Sequence, residues 1–399
     1  MKIRIGLAAA LLAAGVANAA PPQKPVKLGV ITDMSGSLSA MSGAGSVVAA
    51  QLAVEDCLAH ECAGMKVEIL SADHQNKPDV ALAIVSKWID VDGVDAVTDI
   101  IQAAVQLAVQ NLMKEKNHIA LFPGGTARLA NEDCAPKTSV LWMWDTYGQA
   151  IGITRPLATK DSSWFLIAAD YAFGTSLIND STILINRAGG RVVGSVRHPF
   201  NYAGDFAPFL LQGQASGASI IGLAGTGTDL ISTLKQAHEF GLGKGPQKLA
   251  SLVLTLNDVA ALGLEIAQGV TVSEAFYWNL DARTRAFGMR FFARHKAMPS
   301  TIQAGVYSAT YHYLKSVAAA GTTETSAVMA KMHELPIDDA TIRNGTLRPD
   351  GRMVHDSYLF RVKSPAESHE PYDFYQLLAT VPAKDAFRPL SESVCPALK

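Results

Sequence analysis

Short apolar runs alternate with segments of helical periodicity along the first third of the chain. Residues 27–32 (KLGVIT) form an apolar run, and residues 44–58 repeat apolar positions at helical spacing. The alternation continues through predicted strands at 65–73, 95–101 and 118–124 and predicted helices at 77–93 and 104–116. Four strand–helix units in series predict a mostly parallel sheet with helices on both faces.

The same plan restarts in the middle of the chain. Predicted strands lie at 162–170, 191–199, 219–225, 248–255 and 269–278, and predicted helices at 175–190, 205–217, 228–242 and 258–268. The second half repeats the plan of the first half without repeating its letters. We therefore predict an α/β protein built from two similar lobes.

The last part of the chain has a different pattern. Amphipathic periodicity predicts helices at 282–296, 302–321 and 322–336. Alternating polar and apolar residues, with turn residues between them, predict an antiparallel strand pair at 352–363 and 372–381. No low-complexity linker separates the lobes, so we expect several short crossings to join them.

The first residues have the pattern of an export signal. Lys2 and Arg4 precede an apolar stretch from Ile5 to Val16, and Ala17-Asn18-Ala19 supplies a small-x-small cleavage pattern. We predict a signal peptide over residues 1–19 and a soluble exported protein. A retained membrane anchor is the alternative, but the apolar stretch is too short to span a bilayer.

Composition narrows the class of protein. Removing 19 of 399 residues leaves 380, which suits two domains better than one core. The formal net charge is -2 and the Lys and Arg residues are scattered. These features argue against partners that are nucleic acids or anionic membranes.

The four cysteines predict disulfides, because an oxidising compartment and an even count favour pairing. Three pairings are possible. We favour Cys57–Cys62, which requires a helix to end between them, and Cys134–Cys395, which would hold the end of the chain. A metal site is the alternative, but neither pair has C-x2-C spacing.

Candidate ligand-binding residues follow the predicted strands, because open α/β sheets bind ligands beyond the carboxyl ends of their strands. These positions carry hydroxyl, amide, small and aromatic side chains, with few charges. The candidates are Ser35, Leu38, Met41, Gln102, Ala103, Thr126, Asp145, Tyr147, Tyr171, Phe173, Thr226, Thr255 and Trp278. A place in the core is an equal alternative for Trp278.

Motifs of common enzyme classes are absent from the sequence. There is no G-x-S-x-G elbow, H-E-x-x-H zinc motif or P-loop. The G-x-G segments Gly43–Gly45 and Gly225–Gly227 lack the third glycine of a dinucleotide site, since Val48 and Leu230 stand there. A phosphate at Ser35–Ser39 is an alternative, but no Arg or Lys faces it from the other predicted loops. We therefore expect a protein without cofactor, metal or catalytic residues.

Several strings in order resemble the leucine/isoleucine/valine-binding family of type I periplasmic solute-binding proteins of ABC importers. They are GVITDMSGSLSAMSG, LFPGGTARLANEDC, WMWDTYGQAIG, IAADYAFGTSL, LKQAHEFGL and SEAFYW. The resemblance implies two Rossmann-like lobes joined by three crossovers and closing on a ligand. It implies lobes at 26–146 plus 279–355 and at 147–278 plus 356–399.

The resemblance also implies which loops hold the solute. The family's first-loop motif falls on Ser35, Leu38 and Met41, its next loops on Gln102–Ala103 and Thr126, and its second-lobe positions on Tyr171 or Phe173 and Thr226. Amino-acid binders carry a carboxylate near the segment of Thr255, where this chain has LVLTLNDVAA without Glu. A buried ammonium without a partner would cost several kcal/mol, which counts against α-amino acids.

The chain's end resembles a branch linked to uptake of aromatic carboxylates and phenolic acids, through DGRMVHDSYLFRVKSPAES and LLATVPAKDAFRPLSESVCP. We therefore expect a monomeric periplasmic protein that captures a small carboxylate and delivers it to an inner-membrane permease. An aromatic acid is favoured and an amino acid comes next. A sensor that reports to a membrane receptor and a secreted α/β enzyme are the alternatives.

Overall fold

Five parallel strands form the first sheet. The computed structural model describes Pro22 and residues 24–399, so the predicted signal peptide lies outside the described residues. The strands are β1 (Val26–Thr32), β2 (Val67–Asp73), β3 (Ala96–Asp99), β4 (Ile119–Gly125) and β5 (Ser139–Asp145), in the order β2-β1-β3-β4-β5. The helices between them are α1 (Gly43–Ala59), α2 (Pro78–Lys87) and α3 (Ala103–Lys116).

Four more parallel strands form the second sheet. They are β6 (Ser163–Asp170), β7 (Arg191–Pro199), β8 (Ile220–Ala224) and β9 (Lys248–Ser251), in the order β7-β6-β8-β9. The accompanying helices are α4 (Thr146–Leu157), α5 (Ala172–Arg187), α6 (Ala207–Ala215), α7 (Gly227–Glu239), α8 (Leu256–Leu262) and α9 (Leu264–Ala267). The prediction of two parallel α/β sheets is confirmed.

The remaining elements complete both halves. They are β10 (Thr271–Glu274), α10 (Ala282–His295), α11 (Thr301–Ala320), α12 (Thr325–Glu334), β11 (Thr346–Leu347), β12 (Met353–Val354), β13 (Ser357–Val362), β14 (Tyr375–Val381) and α13 (Ala383–Ala386). Strand β13 pairs antiparallel with both β14 and β10. Helix α11 is buried along most of its length and packs on α1 and β4.

We use "lobe 1" for the first sheet with α1–α3, α10–α12, β11 and β12. We use "lobe 2" for the second sheet with α4–α9 and the antiparallel strands β10, β13 and β14. The chain crosses between them after β5, after β10 and after β12. The residue boundaries assigned from the family resemblance stay a prediction.

A buried ion pair fixes the third crossing to lobe 1. The Arg352 Nε donates to Asp145 Oδ2 at 2.7 Å, and the guanidinium also donates to the carbonyls of Leu141, Trp142 and Met143. A buried guanidinium without such partners would destabilise the fold, because a buried charge needs both an ion pair and hydrogen bonds. The contacts hold the segment of β12 against the end of β5.

Both predicted disulfides are present. Helix α1 ends at Ala59, between Cys57 and Cys62, and their Cα atoms are 5.0 Å apart. Cys134 in lobe 1 joins Cys395, whose neighbour Val394 also donates its backbone N–H to Asn131. Within residues 24–399, no helix is both long and apolar enough to cross a membrane.

Three local predictions were wrong, and two elements lay where the sequence pattern had predicted none. These two elements are β5 and α4, which together cover residues 139–157. The helix expected at 258–268 is broken at Gly263, whose φ of +79° favours glycine. The strand expected at 269–278 is shorter, and that expected at 352–363 is divided into β12 and β13.

Candidate ligand-binding site

The carboxyl-terminal edges of the two parallel sheets meet at one junction. Thr126, directly after β4, places its Oγ1 2.8 Å from the Oγ of Ser176 in α5. On another part of the junction, a Cβ added at Gly227 in lobe 2 would lie 2.5 Å from the carbonyl oxygen of Ser37 and 3.3 Å from Leu38 Cδ2. The lobes are therefore in direct contact through the loops that the sequence predicted.

The loop after β1 is shaped by a buried carboxylate. Asp33 accepts hydrogen bonds from the backbone of Gly36 at 2.6 Å and Leu38 at 2.9 Å, and from Asn76 Nδ2 at 2.7 Å. These bonds fold the loop so that Leu38 is buried at the junction. Ser35 is exposed instead, and its hydroxyl donates to Asp73 at 2.7 Å.

The other lobe 1 candidates are buried in supporting positions. Met41 is buried, and its carbonyl accepts from Ser300 at the start of α11 at 2.6 Å. The side chain of Gln102 caps α3 by accepting from the Val105 N–H at 2.8 Å, and Ala103 is the first residue of that helix. These contacts place backbone groups, rather than free side chains, beside the junction.

Four aromatic rings form a continuous wall across the junction, which we call the aromatic wall: Trp144, Phe173, Tyr171 and Phe200. Trp144 and Phe173 meet edge to face with ring centroids 6.0 Å apart, so the wall includes both lobes. Tyr171 lies 5.9 Å from Phe173 and stacks on Phe200 at 4.3 Å. Burial, reinforced by Asp229, raises the pKa of Tyr171, so its phenol stays neutral.

Three buried polar atoms of the junction residues have no hydrogen-bond partner among the described residues. They are Ser37 Oγ, Trp144 Nε1 and Thr226 Oγ1. An unsatisfied buried group costs about 1–3 kcal/mol, so a polar solute that bonded to these atoms would recover that energy. The indole N–H can only donate, whereas the hydroxyls donate and accept. The set therefore suits a solute with acceptor oxygens.

Two of the three buried carboxyl groups near the junction are hydrogen-bonded within the protein. Asp229 accepts from the backbone of Asn201 at 2.8 Å and Tyr202 at 3.0 Å, and burial raises its pKa. Burial also raises the pKa of Asp99 to about 7, and neither of its carboxyl oxygens has a hydrogen-bond partner among the described residues. Asp258 is bonded to Thr255, and burial raises its pKa to about 6. Asp229 and Asp258 are therefore held by hydrogen bonds within the protein, and Asp99 is the one of these three carboxyl groups without a partner.

Four other candidates are engaged in contacts within the protein. Asp145 caps α4 through the Gly148 N–H at 2.8 Å and pairs with Arg352. Thr255 forms a capping box with Asp258 at the start of α8. The Trp278 indole is buried and donates to the Tyr372 carbonyl at 2.9 Å.

Tyr147 is the fourth of these residues. Its ring packs under the Arg388 guanidinium at 4.4 Å, and its hydroxyl accepts from Arg187 at 3.3 Å. The structure thus brings together Leu38, Thr126, Phe173 and Thr226 at the lobe junction, with Tyr171 between Phe173 and Phe200 in the aromatic wall.

Sequence reasoning missed the role of Ser176. It lies three residues after Phe173 on α5, so both side chains lie on one side of that helix. This spacing was a usable signal. No sequence pattern distinguishes Trp144 or Ser37, since only the fold reveals that their polar atoms lack partners.

A model of the periplasmic binding protein family matches residues 25–368. The chain belongs to that family. This periplasmic binding protein is similar to a periplasmic binding protein from Burkholderia mallei, with 40% identity, a TM-score of 0.89, and coverage of 94% of this chain and 99% of the other. No significant match was found among curated proteins.

Two further solved structures are similar to this chain. A branched chain amino acid ABC transporter periplasmic ligand-binding protein from Burkholderia xenovorans is 40% identical, with a TM-score of 0.83 and coverage of 94% and 100%. A solute binding protein from Rhodopseudomonas palustris, in complex with 3,4-dihydroxy benzoic acid, is 17% identical, with a TM-score of 0.78 and coverage of 94% and 99%. The last similarity concerns the fold alone. Proteins of this family are substrate-binding components of ABC transporters.

Proposed function

We propose that this periplasmic binding protein captures a small aromatic carboxylate between its lobes and delivers it to an inner-membrane permease. The observation that carries this proposal is the lobe junction. Its aromatic wall crosses from lobe 1 to lobe 2, beside buried polar atoms that lack partners. An aromatic ring would pack on the wall while its oxygens bonded to the polar atoms.

The proposed binding set contains residues of both lobes. Leu38 and Thr126 contribute from lobe 1, and Phe173 and Thr226 from lobe 2. Trp144, Ser37 and Ser176 are added to the set predicted from the sequence. A solute that contacted both lobes would stabilise the closed state, because only differential contact with the two states shifts their equilibrium.

The charge distribution favours a carboxylate over an α-amino acid. An amino acid would bury its ammonium group, and the nearby carboxylates of Asp229 and Asp258 are bonded within the protein. An unpaired buried ammonium costs several kcal/mol. The small net charge of the protein favours neither ligand class. We therefore attribute discrimination against an α-amino acid to these local hydrogen-bond partners.

A branched-chain amino acid is the second candidate ligand. It is supported by the relative from Burkholderia xenovorans, whose description names that ligand class at 40% identity. The aliphatic body would pack against Leu38 and Phe173, while the ammonium would need Asp229 to change partners. The two candidates therefore differ in whether an ammonium group helps or harms binding.

Titration calorimetry with matched solutes tests the proposal. Benzoate, 3,4-dihydroxybenzoate and leucine are titrated into protein that has been unfolded, dialysed and refolded to remove any carried solute. We expect an aromatic acid to bind at least about 100-fold more tightly than leucine, the equivalent of about 2.8 kcal/mol. 4-Aminomethylbenzoate is the matched probe for an added ammonium and should bind weakly.

Tighter binding of leucine than of either aromatic acid would reject the aromatic assignment and favour the amino-acid alternative. Failure of all these solutes to bind or to raise the melting temperature would count against solute capture at this junction. Delivery is tested separately, by measuring whether the ligand-loaded protein stimulates ATP hydrolysis by its permease in proteoliposomes.

A further inference from the structure

A cavity of about 660 Å³ lies within lobe 2, away from the lobe junction. Its walls include all of β9, the first residue of β10 and the carboxyl-terminal parts of α4 and α7. The lobe junction lies beyond the carboxyl ends of the parallel strands, whereas this cavity lies at their amino ends. It is therefore a separate site.

The cavity exists because the sheet is interrupted between β9 and β10. Strand β9 is the last strand of the four-stranded sheet, and β10 is the first strand of the antiparallel sheet. The connection between them breaks at Gly263 and contributes Ile266 to the wall. The floor is formed by aliphatic side chains such as Ile153 and Leu234.

Half-buried aliphatic side chains make the cavity suitable for a hydrocarbon chain. Leu157, Leu249, Ile266 and Val270 all line it and are only partly shielded from solvent. Covering them would remove apolar surface from water, which stabilises a complex in proportion to the area covered. The volume also falls in the range of typical small-molecule sites, about 300–1,000 Å³.

One side of the cavity is basic. Lys244, Lys248 and His238 line it and are exposed, and Glu265 is the one carboxylate in the lining. Among the described residues, neither Lys244 nor Lys248 forms an ion pair. The lysines that do are Lys27, Lys87, Lys116, Lys331 and Lys363. Lys244 and Lys248 are therefore free to meet an anionic head group.

An extended peptide is a poorer occupant. A strand inserted between β9 and β10 would need them about 9.5 Å apart, twice the usual spacing between strands. Their Cα atoms approach within 8 Å at some positions. The space between β9 and β10 therefore accommodates a single hydrocarbon chain more readily than an additional β-strand.

We propose that this cavity binds an aliphatic carboxylate, with its hydrocarbon chain on the apolar floor and its head group at Lys244 and Lys248. The site would make the protein a carrier of a second, amphiphilic ligand, independent of the solute between the lobes. Its occupancy would leave the aromatic wall free.

Calorimetry with decanoate, below its micellar concentration, tests this proposal. We expect saturable binding that weakens about fourfold for each methylene removed, hence roughly 15-fold for octanoate. The Lys244→Glu/Lys248→Glu variant should bind decanoate at least 10-fold more weakly. The matched control is Lys114→Glu/Lys137→Glu, which changes net charge equally on exposed lysines of lobe 1 and should bind like the parent protein.

Competition separates this site from the lobe junction. Saturating 3,4-dihydroxybenzoate should leave decanoate binding unchanged, and the Lys244→Glu/Lys248→Glu variant should keep its affinity for the aromatic acid. Absence of decanoate binding, or equal weakening in both lysine variants, would overturn the proposal. Displacement of decanoate by 3,4-dihydroxybenzoate would also overturn it, since the two ligands would then not occupy independent sites.

Discussion

Gly227 offers a direct test of lobe closure because its contact with lobe 1 exists only when the lobes are together. A Cβ at this position would lie 2.5 Å from the Ser37 carbonyl oxygen, whereas real contacts begin at about 3.0 Å, a deficit of 0.5 Å. The clashing atom is backbone, so the lobes or the loop must move. Overpacking of this kind costs about 1–3 kcal/mol, so we expect Gly227→Ala to weaken solute binding by roughly 5- to 150-fold.

Gly217 provides the matched control. Both glycines have a φ of +64°, and a Cβ at Gly217 would meet no atom within 4 Å. Each alanine should therefore reduce the free energy of unfolding by about 1–2 kcal/mol through backbone strain.

Calorimetry with the aromatic acid and urea denaturation of both variants separate strain from closure. We expect similar losses of stability but a loss of affinity in Gly227→Ala alone. The reasoning is refuted if Gly227→Ala binds like the parent protein, or if Gly217→Ala loses affinity to the same extent.

Two other substitutions have defined outcomes. Trp144→Phe removes the unpaired indole donor and should weaken aromatic-acid binding by roughly 10- to 100-fold in calorimetry. This is the loss in affinity expected when one hydrogen bond to a charged acceptor is removed. Trp142→Phe, which removes a donor bonded to Ser308 at 2.8 Å, should lower stability instead, and equal effects on affinity would contradict the assignment. Burial raises the pKa of Glu274 to about 8 from 4.5, so the folded state holds this proton more tightly than the unfolded state. Its contribution to stability is fully present below about pH 4.5 and lost as the pH rises through about 8. Glu274→Gln, which keeps an acceptor for Thr301, should flatten this decline in urea denaturation between about pH 5 and 9, and an unchanged slope would contradict it.

Much of the fold was predictable because many of its strands can be recognised from their local sequence. Strands β1, β4, β6 and β8 are apolar runs, so they could be located from the sequence pattern alone. Strand β5 was missed since SVLWMWD passes into α4 at Asp145 without a Gly or Pro between them. The division at Gly263 depends on a positive φ that the sequence permits but does not require.

The sequence predicted the part of the candidate site that follows from the position of loops at the ends of parallel strands. The carboxyl ends of parallel strands share one edge, which brings Thr126 and Leu38 to the same side of lobe 1. The contacts of Ser35 with Asp73, and of Trp278 with Tyr372, join residues distant in sequence. No local pattern reveals such partners, so a free side chain could not be distinguished from a bonded one.

The most direct measurement is a crystal structure of the protein with 3,4-dihydroxybenzoate. We predict electron density for the acid enclosed between the lobes, with its ring against Phe173 and its oxygens within hydrogen-bond distance of Thr126 or Trp144. Density on one lobe alone, or outside the junction, would contradict the claim that opposed strand ends grip a shared solute.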